Sequence, residues 1–111
     1  MWQKVDDKYH WVLSGDEFLA PNGQQAMTYC RQAVVVDRTI QTPYVSNRND
    51  RCDFCNSVTN LLHTSGEEAI RYSLPEVAQI DVLERALEFT SSRLTLRKAI
   101  ERRIRKLEKV M

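Results

Sequence analysis

The C-terminal stretch, residues 73–111, constrains the fold most, because apolar side chains recur through it at helical spacing. Its first part carries two apolar rows, formed by Ile80, Leu83 and Leu87 and by Ala78, Val82, Ala86 and Phe89. Its second part carries one stripe, formed by Leu96, Ile100, Ile104, Leu107 and Met111. The pattern predicts helix through the stretch, buried on two faces first and on one face later.

The start and the middle of this stretch carry helix-boundary signals. Ser73-Leu74-Pro75-Glu76 has the Ser-x-x-Glu spacing of a capping box, which predicts a helix start. Thr90-Ser91-Ser92 is a poor helix interior and a common cap or turn, although the apolar row stays in phase across it. Helices much longer than about 25 residues are uncommon in a small domain. A helical hairpin is therefore favoured over one long helix.

Basic charge is concentrated in the second part of the same stretch. Residues 93–109 contain eight basic side chains and two acidic ones, so this segment carries +6 while the remainder of the chain carries −5. Several Lys and Arg side chains along one helix can neutralise nucleic-acid phosphates and release counterions. The predicted nucleic-acid-binding residues are Arg97, Lys98, Arg102, Arg103, Arg105 and Lys106.

Two further interpretations of this helix stay open. The charge can be a solvated helix face, because basic residues near a C-terminus favour the helix dipole and Glu101 can pair with Arg105. The charged face can also meet an acidic protein surface, while the apolar stripe can pair with a second copy in a homodimer. Membrane binding is disfavoured because the apolar face lacks Trp and Phe.

The favoured function is a small, regulatory, non-enzymatic binding protein, with protein interaction or dimerisation as the alternative.

The first 45 residues are predicted to be mainly β. Residues 8–13 are rich in aromatic and branched side chains and precede Ser14-Gly15-Asp16, a turn signal. Residues 17–20 predict a second short strand before Pro21-Asn22-Gly23. Residues 23–32 predict a helix, and residues 33–40 predict a strand. Together with helices over residues 58–111, this gives an α+β fold with a small antiparallel sheet packed against the C-terminal helices.

The polar loop predicted over residues 46–57 contains the sharpest chemical signal, Cys52-Asp53-Phe54-Cys55. Two cysteines at this spacing can supply half of a tetrahedral zinc site. His63 follows eight residues after Cys55, and Cys30 or His10 can provide the fourth ligand. The sequence thus predicts a zinc site made of Cys30, Cys52, Cys55 and His63, with His10 as the alternative to Cys30.

The cysteines have three alternative roles. Small buried cysteines without any ligand role are common. A thioredoxin-like pair needs its first cysteine at a helix N-terminus after a buried strand, whereas polar residues precede Cys52 and Asp50 and Asp53 disfavour a thiolate. Nucleophilic catalysis by Cys30 with a histidine is the weakest alternative.

Chain length and composition fit one globular domain over residues 1–111. The N-terminal residues lack the apolar region of a signal peptide, and no apolar run reaches the length of a membrane span. Three cysteines cannot all pair with one another, which disfavours a secreted disulfide scaffold. The expected location is the cytoplasm, with reduced or metal-bound thiols.

Overall fold

The computed structural model describes residues 1–13 and 22–110, and its α+β fold confirms the prediction. The N-terminal part contains a five-stranded antiparallel sheet with the strand order β4-β3-β2-β1-β5. The strands are β1 (Trp2–Val5), β2 (Lys8–Leu13), β3 (Gln25–Thr28), β4 (Ala33–Val35) and β5 (Gln41–Thr42). Short 3-10 helices cover Arg38–Ile40 and Arg48–Asp50.

A two-residue turn joins β1 to β2, with Val5 opposite Lys8. Asp6 occupies the turn at φ 60°, a left-handed conformation that Asp tolerates better than most residues. Gln3 on β1 is 3% exposed, and its amide donates to the carbonyl of Val35 at 2.8 Å. Because β2 and β3 lie between β1 and β4 in the sheet, this bond shows that the sheet is strongly curved.

A valine cluster fills the concave interior of this part of the chain. Val12, Val34 and Val36 are buried together, and Val5 and Ala26 pack against them. Gln3 completes the lining by accepting from the backbone N–H of Asp37 at 2.9 Å, so its buried amide is satisfied. The sheet therefore encloses a small apolar core in which the buried amide is also paired.

Several predictions for this half need correction. The strand over residues 8–13 is confirmed as β2, whereas the helix predicted over residues 23–32 is wrong because residues 25–28 pair with β2 and β4. The strand predicted over residues 33–40 ends at Val35. The strand Trp2–Val5 was not predicted. The turn predicted at residues 14–16 and the strand predicted at residues 17–20 lie outside the described residues.

The helical part begins earlier than expected. Helix α1 covers Asp53–Leu62 and α2 covers Gly66–Glu68, continuing as a π-helical turn over Ala69–Ser73 and a 3-10 turn over Leu74–Glu76. Helix α3 covers Ile80–Leu87 and α4 covers Leu94–Val110. The last five residues of the polar loop predicted over residues 46–57 belong to α1, and a 3-10 helix covers Arg48–Asp50.

The predicted capping box at Ser73 does not form. Ser73 has φ −83° and ψ −45°, a helical backbone that continues from the preceding turn, whereas an N-cap residue needs an extended backbone. A serine cap occurs instead at Ser65, whose hydroxyl accepts from the N–H of Glu68 at 3.2 Å. This cap begins α2 at Gly66.

The predicted helical hairpin is confirmed, because α3 and α4 are separate helices that lie against each other. Thr90 lies buried in the connection and donates its hydroxyl proton to the carbonyl of Leu87 at 3.0 Å. This bond satisfies a carbonyl at the end of α3, which has no partner within its own helix. Buried side chains from both helices form the core of the hairpin: Val82, Leu83, Ala86, Leu96 and Ile100.

The chain divides into two compact units, Met1–Asn56 and Ser57–Met111. The organisation of residues 1–111 as one domain stays a prediction. Within the described part of the chain, no helix combines the length and apolar character that crossing a membrane requires.

Candidate metal centre and basic helix face

Four side chains with metal-binding atoms converge in the first unit. The ligand atoms of His10, Cys30, Cys52 and Cys55 all lie within 4.8 Å of one another. Cys55 is fully buried, and the other three side chains are half-buried. A cluster of this composition could hold a metal ion.

The sheet positions His10 and Cys30. His10 lies in the middle of β2, opposite Gln3, while Cys30 lies in the turn between β3 and β4. The turn is held to β2 by a bond from the N–H of Tyr29 to the carbonyl of Trp11 at 3.2 Å. Arg31, at φ 66°, provides the left-handed residue that returns the chain toward β4. As a result, the Nδ1 of His10 is 3.2 Å from the Sγ of Cys30.

The start of α1 positions the other two sulfurs. Cys52 directly precedes the first residue of α1, and its N–H donates to the carbonyl of Tyr9 on β2 at 2.7 Å. Its own carbonyl accepts from the N–H of Asn56 at 2.8 Å, and this hydrogen bond begins the helix. Cys55 follows in the first helical turn, with its Sγ 3.9 Å from the Nδ1 of His10. The backbone bond to β2 thus brings the cysteine pair to the histidine.

Arg51, next to Cys52, fixes the segment that leads into this helix. Its guanidinium lies 5.3 Å from the ring centre of Trp2 and 5.5 Å from that of Tyr44. The same group donates to the carbonyl of Val45 and, at 3.0 Å, to the Oδ1 of Asn56. These contacts stabilise the backbone on the N-terminal side of the cysteine pair.

Hydrogen-bond donors surround the sulfurs. Backbone N–H groups of Phe54 and Cys55 donate to the sulfur of Cys52, and the N–H of Trp11 donates to that of Cys55. The hydroxyl of Thr28 lies 3.1 Å from the Sγ of Cys30. Amide donors favour thiolates over thiols, and donors of this kind orient sulfur ligands in metal sites.

The two cysteines of α1 also affect each other's ionisation. A hydrogen bond from the thiol of Cys55 lowers the pKa of Cys52 to about 5, against the opposing effect of burial. The same hydrogen bond, together with burial, raises the pKa of Cys55. Near neutral pH the metal-free pair therefore holds one thiolate and one thiol, and a metal ion would displace the remaining proton.

The separations between the ligand atoms are close to those of a tetrahedral site. With metal–sulfur bonds near 2.3 Å and a metal–nitrogen bond near 2.05 Å, a nitrogen and a sulfur ligand lie about 3.6 Å apart. The two separations from the Nδ1 of His10, 3.2 Å and 3.9 Å, fall on either side of this value. Small side-chain adjustments would therefore place all four ligands around one ion.

The structure brings together the three predicted cysteines and the alternative ligand His10. His63 does not belong to the cluster: it follows the end of α1, with an exposed side chain and its N–H bonded to the carbonyl of Thr59. Cys30 lies close to β2 because residues 25–28 pair with β2 as a strand. These residues were predicted to be helical. One argument against redox chemistry also fails, since Cys52 does lie at a helix N-terminus.

The six predicted nucleic-acid-binding residues all lie on α4, but they have different surroundings. Arg103 is half-buried and donates to the carbonyls of Val77 at 3.1 Å and Pro75 at 3.2 Å. Arg97 is exposed, and at about 100° per residue it lies in the same sector as Glu101 and Glu108. Its charge is therefore partly offset by neighbouring carboxylates.

The other four predicted residues form a continuous basic surface with Lys109, which the prediction omitted. By the same helical rotation they occupy a sector of about 100° that contains no acidic residue of α4. All five side chains are exposed, and none has a hydrogen bond or ion pair with residues 1–13 or 22–110. We call this surface the basic face, consisting of Lys98, Arg102, Arg105, Lys106 and Lys109.

Comparison with known proteins gave no match to a family model, a curated protein or a solved structure. The function has to be inferred from the chemistry of the two sites.

Proposed function

We propose that the protein is a zinc-stabilised, non-enzymatic binding protein that contacts nucleic acid through the basic face of α4. The metal centre supports the first half of this proposal, and the helix supports the second. The observation that carries the functional half is the acid-free sector of five exposed cations on one helix.

Zinc is the metal that the ligand set favours. Three thiolates and one imidazole are soft to intermediate ligands, and four protein ligands close a tetrahedral shell. Catalytic zinc sites keep a position open for water or substrate, so a Cys3His shell fits a structural role. The centre would join β2, the turn after β3 and the start of α1, three segments that are far apart in the sequence.

Thiol ligands of this kind need a reducing compartment if they are to stay available for metal, and we therefore propose a cytoplasmic location. A zinc centre would also account for three cysteines clustered without a disulfide. A redox role for Cys52 and Cys55 is less well supported, because the ligand atoms of Cys30 and His10 lie within 4.8 Å of the two sulfurs.

Nucleic-acid binding follows from the density of unneutralised charge on α4. Lys98, Arg102, Arg105, Lys106 and Lys109 recur along about three turns of a 17-residue helix. Such a row can follow a phosphate backbone, where each neutralised phosphate releases counterions. Contacts to phosphates carry no sequence information directly, so we expect weak sequence preference.

Fluorescence anisotropy with labelled DNA and RNA at low salt tests this function. About four phosphate contacts to a duplex would give a log–log salt slope near −3.6, and replacing Arg102 and Arg105 by Gln would reduce its magnitude by about 1.8. A matched variant removes two exposed charges from the other unit, Lys4→Gln with Arg48→Gln, and should leave the slope unchanged. Absence of binding at tens of micromolar protein would refute nucleic-acid contact.

The alternative is a protein-interaction or homodimerisation module that uses the apolar stripe of α4. Leu96 and Ile100 are fully buried within the chain, which leaves only the half-buried Ile104 and Leu107 of the described stripe for a partner. An acidic protein surface could instead contact the basic face. A concentration-dependent mass that persists in high salt would favour dimerisation through the stripe.

A further inference from the structure

A groove lies beside the basic face, between α4 and the turns that follow α2. Its volume is about 260 Å³. Its apolar lining comes from both sides: Ile70, Leu74, Pro75 and Ala99. Arg102 and Lys106, two residues of the basic face, line it as well, so the groove is continuous with the proposed phosphate-binding surface.

Arg103 also lines this groove, and the orientation of its guanidinium is fixed. Its Nε donates to the carbonyl of Val77 and its Nη2 donates to that of Pro75, so two backbone groups hold the orientation of the guanidinium plane. The residue is half-buried and lines the groove. A guanidinium plane held in this way is a stacking surface for an unpaired base.

We infer that the groove receives one unstacked base of a single-stranded nucleic acid, whose phosphates follow the basic face. This inference rests on the proposed function and specifies its substrate class. The base would stack on the guanidinium of Arg103 and contact the apolar lining, while Arg102 and Lys106 would bind the flanking phosphates. In a duplex the bases are paired and stacked inside the helix, so a duplex can use the basic face but not the groove.

Charge complementarity selects this occupant over an uncharged apolar peptide. Arg102 and Lys106 are exposed beside an apolar cavity, and a nucleotide carries both an anionic phosphate and a flat, largely apolar base face. An acidic aliphatic peptide is the competing occupant, and the experiment below separates the two.

Three labelled probes test the inference: a short thymidine oligonucleotide, an abasic oligonucleotide of equal length, and a duplex. Base stacking should make the thymidine strand bind at least about fivefold more tightly than the abasic strand. The Ala99→Met substitution fills the groove without changing charge and should remove that difference, while duplex binding stays unchanged. Ala78→Met, at an exposed position in the same unit, is the matched control and should preserve the difference.

A second variant, Arg103→Lys, keeps the charge but loses the planar group, so it should weaken binding of the thymidine strand more than that of the abasic strand. Thermal melts of each variant confirm that it is folded. Equal binding of the thymidine and abasic strands by the unmodified protein would overturn the groove assignment and leave nucleic-acid contact standing. Failure of all three probes to bind would overturn both, and competition by an acidic aliphatic peptide alone would identify the groove as a peptide site.

Discussion

The Nδ1 of His10 lies 3.2 Å from the Sγ of Cys30, although 20 residues separate them in the chain. The contact depends on the antiparallel pairing of β2 with β3, which places the turn after β3 beside the middle of β2. Because Cys52 is bonded through its N–H to Tyr9, the cysteine pair of α1 reaches the same place. The candidate metal cluster therefore depends on the sheet, and its complete ligand set cannot be identified from spacing along the chain.

The two histidines provide a direct test of the ligand set. We expect the protein and its His63→Ala variant to hold about one zinc per chain after purification without chelator. His10→Ala should hold much less, because it removes one of four ligands, and should melt at a lower temperature. Metal analysis and thermal melts measure both effects. Loss of zinc from His63→Ala with retention in His10→Ala would contradict the assignment.

Zinc affinity should depend on pH in a defined direction. The metal-free protein near pH 7 keeps a proton on Cys55, whose pKa is raised by its hydrogen bond to Cys52 and by burial. Zinc must displace this proton, so affinity should rise as pH increases, by about tenfold per pH unit for each proton displaced. Below about pH 5 Cys52 is protonated as well, and affinity should fall more steeply.

Competition with a zinc-binding dye across about pH 6 to 8 measures this dependence, with the dye's own pH dependence determined separately. The Cys55→Ser variant lacks the thiol that holds the proton and should show a weaker pH dependence as well as weaker binding. An affinity that stays constant across this range would show that no proton is displaced on binding.

Arg51 should contribute strongly to the stability of the first unit. The Arg51→Lys substitution keeps the charge but loses the planar group that lies against Trp2 and Tyr44, and it cannot reproduce the bonds to Val45 and Asn56. We expect the free energy of unfolding to fall by about 2 kcal/mol. The matched Arg48→Lys variant, at an exposed position, should change it by less than about 0.5 kcal/mol. Chemical denaturation of both variants gives the comparison, and equal losses would refute this role for Arg51.

The local sequence pattern predicted the structure correctly where the residues of one element determine that structure by themselves. Residues 8–13 are rich in aromatic and branched side chains and form β2 at the predicted bounds. The polar segment at residues 90–92 separates α3 from α4, which gives the predicted hairpin. Cys52 and Cys55 were recognised because their spacing alone carries the metal signal. Each of these features depends on interactions within a few residues.

Other features depend on pairing between distant segments. Residues 25–28 favour a strand only because β2 and β4 flank them, and without that pairing their Gln and Ala residues favour helix. Ser73 does not act as the predicted N-cap, because the preceding helical turn extends through it. For the same reason the sequence offered His10 only as an alternative to Cys30. The two residues meet through the turn after β3, and β3 was predicted to be helical.

The last prediction separates the buried and charged sides of α4. Ile100 is a fully buried residue of α4, whereas Lys98 is exposed on the basic face of the same helix. Ile100→Asp places a carboxylate where no partner can satisfy it, and we expect a loss of about 4 kcal/mol or more, a large part of the stability of a small domain. Lys98→Glu should change the free energy of unfolding by less than about 0.5 kcal/mol, because its carboxylate stays in water. In nucleic-acid binding the order should reverse. Lys98→Glu should weaken binding, whereas Ile100→Asp should not when it is assayed under conditions where it remains folded. Denaturant titration followed by anisotropy measures both properties, and equal destabilisation by the two substitutions would show that the buried and basic faces of α4 are wrongly assigned.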